Sequence, residues 1–137
     1  MEKTLILYPA FAMVFLTWFL YFKNYLDNRK AVKNKSIKFS YFKTYQGEVP
    51  DYVTVSRQTL KNQFDLPIFF YFLISIILVL DKVSQLDFIL AWIFVVSRYL
   101  HCYIRLSSNK VLNRAKVFLL GMLVLIVWWI YFLFNIL

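Results

Sequence analysis

Four stretches of this sequence are almost free of charge, and a chain with this pattern has few ways to fold outside a membrane. Residues 4–22, 66–80 and 117–137 contain no charged side chain, and residues 86–97 contain only Asp87. A membrane-spanning helix needs about 20 apolar residues, so the two shorter stretches must extend into flanking polar sequence. The pattern predicts a single-domain, all-α membrane protein over residues 1–137. Its four transmembrane helices form an up-down bundle, at about 4–23, 55–80, 86–106 and 113–137.

The positive charge of the chain, +9 overall, is concentrated in two connections between these helices. In or beside the predicted loop at about 24–54 are Lys23, Arg29, Lys30, Lys33, Lys35, Lys38 and Lys43; around the last connection are Arg105, Lys110, Arg114 and Lys116. Basic residues beside membrane spans are retained in the cytoplasm. We therefore expect the basic loops in the cytoplasm and both termini on the opposite side. In a bacterium the compartment would be the inner membrane.

The same basic residues indicate which partners to expect. Lysine and arginine clusters bind nucleic-acid phosphates, but clusters next to membrane spans bind anionic lipid headgroups just as readily. Their position beside apolar helices favours lipid. The sequence thus predicts a lipid bilayer with anionic headgroups as partners, and no nucleic acid. The loop at about 24–54 is polar and aromatic by turns, which leaves open whether it lies on the membrane surface or covers a site.

A polar stripe marks the start of the second predicted helix. Gln58, Lys61, Asn62 and Asp65 are spaced i, i+3, i+4 and i+7, so they share one helix face. Since residues 66–80 span only about 22 Å as a helix, at least one turn of the stripe must enter the hydrocarbon. Polar groups in that position are costly without partners. The stripe is either a functional cluster or a helix start whose side chains extend into the headgroups.

The third predicted helix also ends in polar residues. Tyr99 and Tyr103 share one face, and Arg98, His101 and Arg105 share another at i, i+3 and i+7. Tyrosines at a membrane edge are usually anchors, arginines there usually snorkel, and a lone histidine is more often structural than a ligand. The single Cys102 and single histidine give no metal-ligand spacing, so no metal is expected.

The two polar ends meet at one membrane face, because helices two and three are antiparallel neighbours joined by a short loop. They bring together cations, one carboxylate, one amide and two phenols, namely Lys61, Arg98, Arg105, Lys110, Asp65, Asn62, Tyr99 and Tyr103. Cations bind carboxylates through charge-assisted hydrogen bonds, and Asp65 can accept an ammonium. This inventory suits a small ligand with several carboxylates and an ammonium, together with a lipophilic partner that enters from the bilayer.

In these segments the sequence resembles the MAPEG family, the membrane-associated proteins in eicosanoid and glutathione metabolism, and its small bacterial branch in particular. The similarity lies in residues 61–71 (KNQFDLPIFFY), 98–104 (RYLHCYI) and 109–114 (NKVLNR). It implies a four-helix bundle assembled as a homotrimer, with glutathione as co-substrate between protomers near the cytosolic face. It also implies glutathione transfer, peroxide reduction or isomerisation of small lipophilic substrates.

The resemblance assigns roles to individual residues. It implies that Asn62 and Asp65 bind glutathione and that Tyr99 and Tyr103 are the family's paired tyrosines. Lys61 and Arg98 are further glutathione-binding candidates, while Lys110, with Arg105, is the catalytic candidate. A cation at Lys110 would lower the pKa of the glutathione thiol from about 8.5 and so raise the reactive thiolate fraction.

This sequence departs from the family's pattern at three of these positions. Gln58 stands where an arginine is expected, Leu66 replaces a tyrosine, and Lys110 replaces an arginine. A lysine offers a point charge and not the planar fork of a guanidinium.

Two functions from different classes follow. The first is an integral membrane glutathione transferase or peroxidase that acts on lipophilic electrophiles or lipid hydroperoxides. The alternative is a non-catalytic MAPEG-like membrane protein that binds anionic lipid or a protein partner. A small transporter or channel component is a third class, but helices one, three and four lack the ionisable residues and Gly/Pro breaks near the midplane that such carriers use.

Overall fold

A computed structural model describes residues 3–137, and all regular secondary structure within them is helical. A short 3₁₀ turn, Lys3–Ile6, leads into the first helix. The helices are α1 (Leu7–Lys33), α2 (Tyr41–Thr44), α3 (Asp51–Lys61), α4 (Pro67–Val79), α5 (Gln85–Leu106) and α6 (Val111–Ile136). Three helical segments are long and apolar enough to cross a membrane: Lys3–Lys33, Gln85–Leu106 and Val111–Ile136. The apolar helix α4 is shorter, with 13 residues, or about 20 Å.

The first helix is longer than predicted, because it continues beyond residue 23 to Lys33. Its polar half has a buried stripe of its own, in which Asp27 and Ala31 are covered, and the ion pair between Lys23 Nζ and Asp27 Oδ2 (2.6 Å) spans one turn. The helix ends in a Schellman motif with Lys35 in the left-handed region (φ 58°). The predicted loop at 24–54 is therefore mostly helical.

The second predicted helix, 55–80, is two helices. Between α3 and α4, the turn at residues 62–66 contains the i→i−3 bonds Gln63 N to Leu60 O and Phe64 N to Lys61 O. Pro67 has no backbone N–H and its ring clashes with the carbonyl four residues earlier, so it starts a new helix where a kink was predicted. The polar stripe from Gln58 to Asp65 is thus divided between a helix and a turn. The third and fourth helices lie within two residues of their predicted bounds.

An apolar core joins α1, α4, α5 and α6. Phe70 of α4 stacks on Phe94 of α5 with ring centroids 4.8 Å apart, and Trp128 of α6 packs edge-on against Phe70 at 5.9 Å. Helix α5 begins with a capping box formed by Ser84 and Asp87. The other carboxylate oxygen of Asp87 accepts a 2.7 Å hydrogen bond from Trp128 Nε1. These contacts hold α5 and α6 side by side.

A smaller apolar cluster lies at the polar end of the bundle, which we define as the end that contains residues 23–66 and 98–116. It consists of Ala31, Ile37, Tyr41 and Val53, all buried. Arg57 of α3 holds α2 over this cluster, because its Nη1 donates a 2.8 Å hydrogen bond to the Tyr41 hydroxyl and its guanidinium stacks over the Tyr45 ring at 5.3 Å. The segment between α1 and α3 is thereby folded onto the bundle.

Candidate functional site

The centre of the candidate site is Arg98, whose side chain is fully buried on α5, with 0% exposure. Its Nη2 lies 3.4 Å from the Asn62 carbonyl oxygen, in the turn between α3 and α4. Its guanidinium also lies 5.4 Å from the centre of the Phe118 ring of α6. The Nε and Nη1 atoms have no hydrogen-bond partner among the described residues. A buried guanidinium with one long hydrogen bond retains most of its donors for another ligand.

Arg105 lies two turns further along the same face of α5, and its side chain is 9% exposed. Its Nη2 donates a 2.6 Å hydrogen bond to Gln58 Oε1 of α3. Its Nε is buried and has no partner within residues 3–137. Helix α3 therefore meets α5 at two points, through the Asn62 carbonyl and the Gln58 amide, and both acceptors are neutral.

His101 and the half-buried Arg114 complete a cluster of three arginines and one histidine, which we define as Arg98, His101, Arg105 and Arg114 and call the cationic cluster. His101 is buried on the same face as the two α5 arginines, and its ring lies 5.7 Å from that of Phe118. Its Nδ1 has no partner in the described part of the chain. Arg114 of α6 is close enough for its charge to act on both His101 and Arg105, and Asn109 Oδ1 accepts a 2.7 Å hydrogen bond from its Nη1.

No carboxylate forms an ion pair with this cluster among residues 3–137. The two ion pairs found there lie elsewhere and join Lys3 to Asp81 and Lys23 to Asp27. Asp65 is exposed, and its field reaches Arg98 without direct contact. A buried charge without a partner costs several kcal/mol. An anion with acceptor oxygens would satisfy the free donors of Arg98 and Arg105.

The two tyrosines of the sequence-based site lie on a different face of α5. The Tyr99 hydroxyl donates a 2.7 Å hydrogen bond to the Ala12 carbonyl of α1, and the ring is 41% exposed. Tyr103 is 71% exposed. Both line a groove of about 640 Å³ between α1 and α5, together with Phe15, Phe19 and Lys23. Within one protomer, the phenols therefore do not join the arginines.

Both lysines of the sequence-based site are exposed. Lys61 lines a hollow between α1 and α2, beside Tyr21 and Phe64. Lys110 is the residue that precedes α6, and its side chain has no hydrogen bond or ion pair within the described residues. The structure thus joins Asn62 to Arg98 and places Arg105 two turns further along the same face of α5, while Lys61, Lys110, Tyr99 and Tyr103 lie outside this group.

Sequence reasoning did not select His101, Arg114 and Gln58 as site residues. The i, i+3, i+7 spacing of Arg98, His101 and Arg105 was the signal for His101. Gln63 was also missed; it is buried, and its Nε2 lies 3.3 Å from the Cys102 sulfur. The conformation of the turn at residues 62–66, to which Gln63 belongs, directs its side chain inward, and spacing in the sequence does not reveal this.

The apolar helices define an integral membrane protein with a group of arginines at one end of a helical bundle. The model of the MAPEG family matches residues 6–134, nearly the whole chain. The chain therefore belongs to the MAPEG family of membrane proteins in glutathione and eicosanoid metabolism. No curated protein and no solved structure matches it at a significant level.

Proposed function

We propose that this protein is a glutathione-dependent transferase or peroxidase that acts on lipophilic electrophiles or lipid hydroperoxides. The observation that carries the proposal is the full burial of Arg98 without a carboxylate partner, one to two turns from His101 and Arg105. Glutathione has two carboxylates and one ammonium. Its carboxylates would satisfy the free guanidinium donors through charge-assisted bonds, and its ammonium would face Asp65.

The contact between Gln58 and Arg105 supports the proposal at the position where this chain departs from the family. An arginine at residue 58 would stand against the Arg105 guanidinium and repel it. Here Gln58 accepts a hydrogen bond from Arg105 instead. We infer that Arg105 of α5 supplies the positive charge that other members place on the helix before the turn. The number of cations around the ligand is then preserved although one has moved to the opposite helix.

For the chemical step, we propose that a cation near the bound thiol stabilises the thiolate and so increases its reactive fraction at neutral pH. Arg105 and Lys110 are the candidates from the sequence. Arg114 is a third, since its charge reaches Arg105 and His101. The thiolate then attacks an electrophilic carbon of a substrate that enters from the bilayer and displaces its leaving group. With a hydroperoxide it attacks the terminal oxygen, the O–O bond breaks, the alkoxide leaves as the alcohol after taking up a proton, and a second glutathione reduces the resulting sulfenic acid to the disulfide and water. The groove lined by Tyr99 and Tyr103 opens beside the apolar face of α1 and is suited to such a substrate.

We further propose that four helices cross the membrane, that α4 spans it together with the turn before it, and that the polar end faces the cytosol. The basic residues at the polar end support this orientation. We also propose a homotrimer. An apolar groove of about 550 Å³ between α4 and α6, lined by Phe69, Phe72 and Trp129 among others, supports association through this face.

A second function is favoured by one specific observation. Tyr99 and Tyr103 face α1 and not the cationic cluster, so a protomer that binds an anion need not activate a thiol. The alternative is a non-catalytic MAPEG-like membrane protein that binds anionic lipid or a protein partner. Calorimetry and turnover distinguish the two, because this alternative predicts neither saturable glutathione binding nor conjugation or peroxide reduction.

The test is calorimetry on the detergent-solubilised full-length protein. Glutathione should bind saturably, and Asp65→Ala and Arg105→Gln should each weaken binding by about tenfold, since each removes one charged contact of about 1.5 kcal/mol. Lys110→Ala and Arg114→Ala should lower the conjugation rate of an aryl halide more than they lower affinity. Absence of saturable heat with the parent protein would contradict the proposal. Equal binding by parent, Asp65→Ala and Arg105→Gln would contradict the site.

A further inference from the structure

A second groove lies at the polar end, apart from the cationic cluster. We call it the α1–α2 groove. It consists of two adjoining hollows of about 760 and 680 Å³, which share Tyr21, Asn24, Asn28 and Phe42. Volumes of this size are typical of ligand sites. Two cations lie at each end, with Arg29 and Lys33 beside the first hollow and Arg57 and Lys61 beside the second.

The groove has a strong positive bias. None of the residues that line it, within the described chain, is acidic. Arg29 and Lys33 are exposed on α1, and neither takes part in an ion pair among residues 3–137. Asp27, which lies on the same helix, is paired with Lys23 on another face. Asparagine amides between the two pairs of cations add further hydrogen-bond donors. This combination suits a phosphate diester with polar substituents.

The groove also continues directly into an apolar surface. The rings of Tyr21 and Phe64 pack together at the edge of the groove nearer the apolar half of α1, with centroids 6.1 Å apart. Beside them, Trp18 and Phe22 of α1 are more than half exposed. At the opposite edge Phe39 is 79% exposed. A bound molecule with its anionic head in the groove would therefore have apolar side chains on which to lay hydrocarbon, as tyrosines and tryptophans do at a bilayer interface.

We propose that the α1–α2 groove is a binding site for one anionic phospholipid. Its headgroup phosphate lies at Arg29 and Lys33, its glycerol ester groups lie against Asn24 and Asn28, and its acyl chains run along the exposed face of α1. The lipid holds the helical segment between α1 and α3 at the membrane surface. This site is separate from the glutathione site, because the cationic cluster lies on the α5 side of α3.

The experiment uses the full-length protein in an uncharged detergent. Dioctanoyl phosphatidylglycerol and dioctanoyl phosphatidylcholine are titrated separately, and bound lipid is counted by native mass spectrometry with affinity from calorimetry. We expect one phosphatidylglycerol bound per chain, with phosphatidylcholine at least tenfold weaker. Arg29→Gln/Lys33→Gln should weaken phosphatidylglycerol binding about 20-fold, since each cation near a headgroup contributes about fivefold. Glutathione binding by this variant should be unchanged.

Lys38→Gln/Lys43→Gln is the matched control, because both lysines are exposed in the same segment, outside the groove, and carry the same total charge. It should weaken binding by less than threefold. Equal losses for the two double variants would show general attraction to a basic surface and overturn the site. Equal affinity for the two lipids would overturn it as well. A third arm with glycerol 1-phosphate should give no measurable heat; binding as tight as that of the lipid would show that the groove takes a free phosphate ester.

Discussion

Arg105 of α5 donates a 2.6 Å hydrogen bond to Gln58 Oε1 of α3, and this contact closes one side of the cationic cluster. Gln58 thereby satisfies one end of a guanidinium whose Nε has no partner among residues 3–137.

The first prediction tests this contact. Gln58→Leu should destabilise the protein by about 0.5–1.5 kcal/mol, because it removes the acceptor of a partly buried Arg105 donor that water can only partly replace. Thermal unfolding in detergent measures the change, and Gln46→Leu, at an exposed site, serves as the control. Equal unfolding temperatures for the two variants would contradict the assigned contact.

Gly121 allows α6 to approach α5 closely. A Cβ at this position would lie 2.5 Å from Ser97 Oγ and 3.4 Å from Ser97 Cβ. Gly121→Ala should therefore destabilise the pair of helices by about 1–3 kcal/mol through overpacking. Ser97→Ala/Gly121→Ala should recover most of that loss, since the clashing oxygen is gone and alanine is favoured over glycine in a helix. Thermal unfolding of the parent protein, the two single variants and the double variant completes a double-mutant cycle. A double variant as unstable as Gly121→Ala alone would contradict overpacking against Ser97.

Asp87 and Trp128 join the N-terminal end of α5 to the C-terminal half of α6. Trp128 Nε1 donates a 2.7 Å hydrogen bond to the buried Asp87 carboxylate. Trp128→Phe should cost about 1.5–3 kcal/mol for the lost charge-assisted bond, in addition to the loss of ring volume. The neighbouring Trp129 has a buried Nε1 without a partner in the described residues, so Trp129→Phe is a matched control. A larger loss of thermal stability for Trp129→Phe than for Trp128→Phe would contradict the assignment.

Arg57 holds α2 on the bundle through Tyr41 and Tyr45. Arg57→Met keeps most of the aliphatic stem but removes the hydrogen bond and the cation–π contacts, each worth about 0.5–1 kcal/mol at an exposed site. Amide hydrogen exchange in residues 38–47 should then accelerate several-fold, while exchange in α5 and α6 stays the same. Lys82→Met, which removes an exposed cation at the opposite end of the bundle, should leave the exchange of residues 38–47 unaltered. Faster exchange throughout the chain would instead indicate global destabilisation.

Much of the fold follows from local sequence. The bounds of α5 and α6 are close to those predicted, because the Ser84–Asp87 capping box and long uncharged stretches mark them. The end of α1 was predicted ten residues too early. Residues 23–33 of α1 show no apolar periodicity that would predict a helix. They are helical because the buried Asp27 and Ala31 pack against the polar end of the bundle. The effect of Pro67 was predicted in kind, as a disturbance of the helix, but its extent depends on the turn that precedes it.

The site was harder to predict than the fold. Each of two faces of α5 carries side chains that could bind a ligand. One face has Tyr99 and Tyr103, and the other has Arg98, His101 and Arg105. Sequence spacing separates the two sets but does not reveal which one is buried. That is decided by α3 and α6, which cover the arginine face through Asn62, Gln58 and Phe118. Arg114 could not have been assigned from spacing, because its position depends on the turn between α5 and α6.

The most direct measurement is a structure of the full-length protein, in lipid nanodiscs, with glutathione bound. Our account predicts that a glutathione carboxylate lies within about 3.2 Å of free guanidinium nitrogens of Arg98 or Arg105, with the ammonium toward Asp65. Glutathione bound only in the groove between α1 and α5, or a chloride or lipid phosphate in the cationic cluster with glutathione absent at saturating concentration, would contradict it.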